Sequence, residues 1–127
     1  MTRVLVVAND VLDPAEIVDT EAEVLVVAPA LSSRLDYWSG DDRRARRDAE
    51  RRLADSLSAL SLLGVAADGL VGDADPLLAI EDSLRLIDAE VIVIAADSRR
   101  APNWLEREIV SRATRRFTQR VVQLEAA

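Results

Sequence analysis

Residues 71–97, VGDADPLLAIEDSLRLIDAEVIVIAAD, constrain the fold more than any other stretch of the chain. A strand ends at Gly72-Asp73. Asp75 stands where a helix N-cap belongs, and Pro76 follows at the first helical position, where its missing N–H is no loss and its fixed φ suits the helix. Leu77, Ile80, Leu84 and Ile87 recur at helical spacing and give that helix one apolar stripe. Residues 91–95, VIVIA, then form a continuous apolar run without the polar alternation of a half-exposed strand. A helix leading into a strand buried on both faces is the repeating unit of a parallel sheet.

The rest of the chain repeats that unit. Residues 4–8 and 24–28 both read VLVVA. Asn9-Asp10 and Asp13-Pro14 punctuate the segment between them, and residues 14–20 leave room for a helix of about two turns. This first crossover is near the minimum length for a βαβ unit. Residues 29–40 read as a loop in which Tyr37 and Trp38 either pack against a neighbouring helix or close over a ligand. Asp41 or Asp42 caps a long helix to about Leu63, with Ala45, Ala49, Leu53, Leu57 and Leu60 on its buried face and Gly64 as its C′ stop. Residues 65–70 read as a weaker third strand. Asn103-x-x-Glu106 is a capping-box pattern for a last helix, with Trp104 as a packing anchor. Glu106 and Glu108 sit early in that helix and Arg112, Arg115 and Arg116 late, as the macrodipole favours. Residues 120–124, RVVQL, make a fifth strand. With right-handed crossovers this order predicts an α/β fold: a five-stranded parallel sheet, order 3-2-1-4-5, helices on both faces and the last strand at an edge. At 127 residues the chain reads as a single domain, residues 1–127, large enough to bury a core without disulfide or metal.

Missing residue types narrow the chemistry. The chain contains no Cys and no His, and all 16 of its basic residues are Arg. Thiolate and imidazole chemistry, a P-loop lysine and a Schiff-base lysine are therefore excluded. Asp, Glu and Tyr37 remain as acid–base groups. A net charge of −7 argues against nucleic acid and against an anionic membrane, both of which reward positive surface. No apolar run approaches the roughly 18–20 residues of a membrane span. The first ten residues read as a strand, not a leader, so the cytoplasm is the expected location.

In an open α/β sheet, ligands sit at the carboxyl ends of the strands, at the point where strand order reverses. Here that rim comprises residues 9–13, 29–42, 71–75 and 96–103. Ser98, Arg99 and Arg100, just before a helix start, offer an anion site of two guanidiniums and free helix N–H groups, or a solvated loop. Asp10, Asp13, Asp73, Asp75 and Asp97 can ligate Mg²⁺ or Ca²⁺ through oxygen or cap helices; Asp75 reads as a cap. There is no EF-hand spacing, and no metal site is expected. Arg43, Arg44, Arg46, Arg47, Arg51 and Arg52 form a local basic run. Arg43, Arg44, Arg47 and Arg51 share the face opposite the leucines, which reads as a solvated face. No catalytic residue is assigned, because acid–base work by carboxylates depends on distance and burial.

Residues 71–97 also resemble the G-D-P-x-x-x-I…A-D-x-I-V-x-G segment of the universal stress protein family, and the resemblance extends over most of the chain. It implies a universal-stress-protein/HUP-like three-layer sandwich and a site for ATP or AMP with Mg²⁺. In that family an Asp closes the first strand near the adenine; the position falls on Asn9, with Asp10 beside it. The phosphate loop after the fourth strand, G-x-x-G, nine residues, then G-S/T, falls on Asp97, Arg100, Val110 and Ser111. Only Ser111 keeps the family's residue type. Glycines there let backbone approach phosphate, whereas Asp97 brings negative charge and Val110 a branched side chain, so the ATP loop reads as eroded. The implied nucleotide site is Asn9, Asp10, Val71, Gly72, Asp73, Ser98, Arg99, Arg100 and Ser111.

The expected function is a non-enzymatic binding or signalling module of universal-stress-protein type, with no cofactor and a small anionic ligand. It pairs as a homodimer through the apolar edge strand carrying Val121, Val122 and Leu124. Two alternatives stand beside it: a nucleotide-binding universal stress protein acting as a slow ATPase, and a metal-assisted hydrolase using the rim carboxylates.

Overall fold

The computed structural model describes residues 2–9, 21–30, 43–96 and 103–125, apart from the side chains at 96, 103–107 and 125. The elements are β1 (Arg3–Ala8), β2 (Glu23–Pro29), α1 (Arg43–Leu62), β3 (Ala67–Gly72), α2 (Pro76–Leu84), β4 (Val91–Ala96), α3 (Asn103–Arg116) and β5 (Arg120–Glu125). The strands form one five-stranded sheet in the order β3-β2-β1-β4-β5, every neighbouring pair parallel, as expected from the sequence. The short helix expected over residues 14–20 and the loop with Tyr37 and Trp38 lie outside the described residues.

Two apolar layers flank the sheet. Leu5, Val7, Leu25, Val27, Ile92 and Ile94 face Leu77, Ala79 and Ile80 of α2 and Ala113 of α3. Their chain neighbours Val6, Ala8, Val24, Val26, Val93 and Ala95 face the other way, together with Ala49 and Leu60 of α1. Successive side chains of a strand point to opposite faces, so the unbroken apolar runs require a helix layer on each side. Arg116 ties α3 to α2 through Glu81 at 2.6 Å.

Several local expectations hold in detail. Asp75 caps α2, its Oδ1 accepting the Leu77 N–H at 3.0 Å, with Pro76 inside the first turn. Gly64 has φ +78°, and α1 closes through Gly64 N–H to Ser61 O and Val65 N–H to Leu60 O, the paired bonds of a Schellman motif. That closure explains one difference from the sequence reading. Val65, 3% exposed, is part of the helix stop and a core plug, so the third strand runs over Ala67–Gly72, not residues 65–70. Ile87 likewise lies beyond the end of α2, yet it is 7% exposed and extends the core of that face. Among the described residues, no helix is long and apolar enough to cross a membrane.

Gly72 ends β3 directly beneath α2. A Cβ placed there would stand 2.7 Å from Val27 Cγ2 and 2.8 Å from Ala79 Cβ, so strand and helix approach each other through the missing side chain. Gly72→Ala is expected to cost about 1–3 kcal/mol of unfolding free energy by forcing β3 and α2 apart. Urea denaturation checks this; an unchanged midpoint would show that the packing yields at no cost.

Candidate functional site

The strand register aligns the carboxyl ends into one row. Val71 pairs with Ala28 and Gly72 with Pro29; Val7 pairs with Val27 and Ala8 with Ala95. The row at the top of the sheet is therefore Gly72, Pro29, Asn9 and Ala96. From β1 the chain leads to β2 on one side, whereas β4 lies on the other and leads away to β5. Strand order reverses between β1 and β4, beside Asn9, and ligands of open α/β sheets bind at such switch points.

Asn9 is the first unusual group on this rim. Both its side-chain Nδ2 and its Oδ1 are buried, and among the described residues neither has a hydrogen-bond partner. Native proteins satisfy nearly all such atoms, and leaving one unmade costs about 1–3 kcal/mol. A buried amide with an idle donor and an idle acceptor, at the switch point of an α/β sheet, has the properties of a ligand contact.

Arg52 is the second. Its Nη1 donates to the Ala8 carbonyl at 2.8 Å and to the Asn9 carbonyl at 3.2 Å, and its Nη2 donates to the Pro29 carbonyl at 2.8 Å. Where β1 and β2 end, strand carbonyls lose their ladder partners. A planar guanidinium with five donors can serve three of them at once. Arg52 thus closes the notch between β1 and β2 and fixes the backbone of Asn9. The sequence reading named Arg52 in the basic run but left it off the solvated face of Arg43, Arg44, Arg47 and Arg51 without giving it another role; those four and Arg46 are exposed. A signal was present, however. Ala45, Ala49, Ser56 and Leu60 are the buried positions of α1, and Arg52 falls between them at spacings of four, three, four and four residues.

The remaining candidates divide. Val71 packs into the core on the α1 side and Gly72 beneath α2, so both stand on the same rim as Asn9 with their positions also used in packing. Gly72 is two strands from Asn9, roughly 10 Å at ordinary strand spacing. Asp73 Oδ1 accepts the Asp75 N–H at 2.9 Å, so both carboxylates organise the turn into α2. Ser111 is exposed on α3, next to Val110, which packs against the core. Asp10, Asp13, Asp97, Ser98, Arg99 and Arg100 lie outside the described residues. Among the described residues, no three Asp or Glu side chains gather as a metal site would require.

A cavity of about 640 Å³ lies at the opposite end of the sheet, by the amino ends of β2 and β3, lined by Glu21, Glu23, Asp68, Gly64 and neighbouring alanines. Its Glu23 is engaged by Arg3 at 3.3 Å. Ligands of open parallel sheets bind at the carboxyl ends. The cavity's size does not outweigh the idle amide of Asn9 at that end.

No protein-family model matches the chain, and neither does any curated protein sequence. Among solved structures it is similar to a universal stress protein family protein from Arabidopsis thaliana with AMP bound, at 11% identity and TM-score 0.61, over 100% of this chain and 93% of that one. It is also similar to a universal stress protein in complex with cAMP, at 12% identity and TM-score 0.56, over 99% of this chain and 98% of that one. At such identities the likeness is one of fold: the five-stranded 3-2-1-4-5 sheet with helices on both faces.

Arg52→Met keeps an apolar stem in place and removes three donors from the strand ends. It is expected to lower unfolding free energy by about 2–4 kcal/mol. Arg52→Lys, a point charge that cannot span three carbonyls, should recover less than half of that loss. Urea titrations of the three proteins decide this; full rescue by lysine would mean that charge alone, and not the fork, holds the rim.

Proposed function

We propose that this protein is a non-enzymatic binding module of universal-stress-protein type, whose ligand is a nucleotide seated base-first in the β1–β4 crevice. The observation that carries this reading is the buried, unpartnered amide of Asn9. It stands where the first strand ends, the position that the family resemblance sets beside the base. The fold supports it further, because two proteins of the same architecture hold AMP and cAMP. For the phosphate side, the sequence reading names Ser98, Arg99, Arg100 and Ser111, hydroxyls and guanidiniums in place of a glycine-rich loop, with the negative charge of Asp97 beside Ser98 in the chain. The base contact then contributes more of the affinity than the phosphate contact. Binding without turnover fits a chain lacking His, Lys and Cys, in which Asp73 and Asp75 are already committed to a turn.

Isothermal titration with AMP and with ATP plus Mg²⁺ tests the reading: saturable binding with no release of phosphate is expected. Asn9→Leu is the informative variant. Removing an unsatisfied buried amide should raise unfolding free energy by about 1–2 kcal/mol while abolishing binding. No heat at millimolar nucleotide, or undiminished binding by the variant, would end this proposal. Phosphate release dependent on Mg²⁺ would instead favour the slow ATPase.

The same reading includes a second copy of the chain at β5. Among the described residues this strand pairs only with β4, and an outer edge of this kind invites pairing with another strand. Val121 and Leu124 each pack partly into one of the two cores, whereas Val122 is half-buried and belongs to neither. Val122→Arg, which spares both cores, is expected to convert a dimer into a folded monomer in light scattering. A variant that remains dimeric would place the contact on another surface.

A further inference from the structure

We infer that the groove between α2 and α3 is an anion site, which holds a phosphoryl group on three arginines of α3. It is independent of the nucleotide reading above and uses none of its residues.

A cavity of about 280 Å³ opens there, lined by Leu77 of α2 and by Arg112, Arg115 and Arg116 of α3. Spacings of three and four residues put the three arginines on one face of their helix. Leu77 is 4% exposed and gives the groove an apolar wall, whereas all three arginines are exposed. Arg116 donates to Glu81 of α2 at 2.6 Å. Among the described residues, Arg112 and Arg115 have neither an ion-pair nor a hydrogen-bond partner. Three guanidiniums thus share the groove with one carboxylate, in a protein whose net charge is −7.

Helix electrostatics accounts for part of this arrangement. Arg115 and Arg116 lie in the last turn of α3, where the macrodipole favours cations. Arg112 lies a turn earlier, where that attraction has faded, and it stands three and four residues from two like charges. Like-charge pairs at such spacings destabilise a helix. An anion shared by all three turns that repulsion into attraction to a common counter-ion.

Guanidinium chemistry names the class of ligand. Each is a planar fork suited to bidentate contact with phosphate or carboxylate. A phosphate monoester carries a charge of about −1.5 to −2 and three acceptor oxygens around one centre, so it can engage three forks at once. A carboxylate offers two oxygens in one plane and a single charge. The Leu77 N–H is already taken by Asp75, so the donors on offer are the arginines and not the helix start. The cavity is close to the lower limit of small-molecule sites, about 300 Å³, which leaves room for a small substituent against Leu77. The ligand is inorganic phosphate or a small phosphate monoester.

Amide NMR of the isotope-labelled protein, titrated at fixed ionic strength with inorganic phosphate, methyl phosphate and acetate, tests this. Saturable shifts of Leu77 and residues 112–116 are expected, half-complete at a phosphate concentration on the order of 1 mM. Acetate should bind at least about tenfold more weakly. Tighter binding of methyl phosphate supports the site with an ester as its ligand; equal or weaker binding supports it with the free ion. The double variant Arg112→Gln, Arg115→Gln should weaken phosphate at least about tenfold. The double variant Arg44→Gln, Arg47→Gln removes the same charge from exposed positions of α1 and should stay within about twofold of the unaltered protein. All four positions are exposed, and surface changes of this kind leave a fold intact. No shift of these amides by about 20 mM phosphate would overturn the inference. Equal binding of acetate would overturn it too, leaving unselective charge attraction. So would an equal loss in both double variants, which would make the effect one of net charge.

Discussion

The structure depends on one constraint: its central strands are apolar on both faces. Leu5, Val6, Val7 and Ala8 of β1 are all 0% exposed, and β2 and β4 are nearly as deeply buried. Such strands cannot sit at the surface, so helices must cover both sides of the sheet, and right-handed crossovers then decide which helix covers which side. α1, crossing from β2 to β3, lies on one face; α2 and α3, carrying the chain to β4 and β5, lie on the other. The reversal of strand order between β1 and β4 belongs to this arrangement.

Two-sided burial creates a second problem at the strand ends. The last carbonyls of β1 and β2 lie at the edge of a dry layer where ladder hydrogen bonds stop. Arg52 answers it with three charge-assisted bonds from one side chain. Asn9, one residue beyond β1, receives no such answer for its side chain. Neighbouring groups on this rim thus differ: one side chain serves three carbonyls and the next is buried without a partner among the described residues.

Much of the architecture was legible in the residues, for specific reasons. VLVVA, VLVVA and VIVIA are runs that only a covered parallel strand accommodates. Asp75-Pro76 and Gly64 act through local backbone geometry, which sequence specifies directly. The third strand was displaced by two residues because Val65 is as apolar as a strand residue, and only the helix closure at Leu60 takes it out of the ladder. Arg52 was hidden by its company: five neighbouring arginines are solvated, and residue type could not distinguish the sixth. Its place on the Ala45–Leu60 stripe could have.

Composition and periodicity by themselves determined the parallel strands, the two helix layers and the exclusion of thiolate, imidazole and lysine chemistry. These follow from which residues occur and how often they recur along the chain, and both are properties of a one-dimensional string. Tertiary structure alone decided that Arg52 reaches across 44 residues to Ala8 and 23 to Pro29, and that the amide of Asn9 is buried without a partner. Burial and hydrogen bonding depend on what the fold brings alongside a group, and residues distant in sequence supply that surrounding only once the sheet has closed.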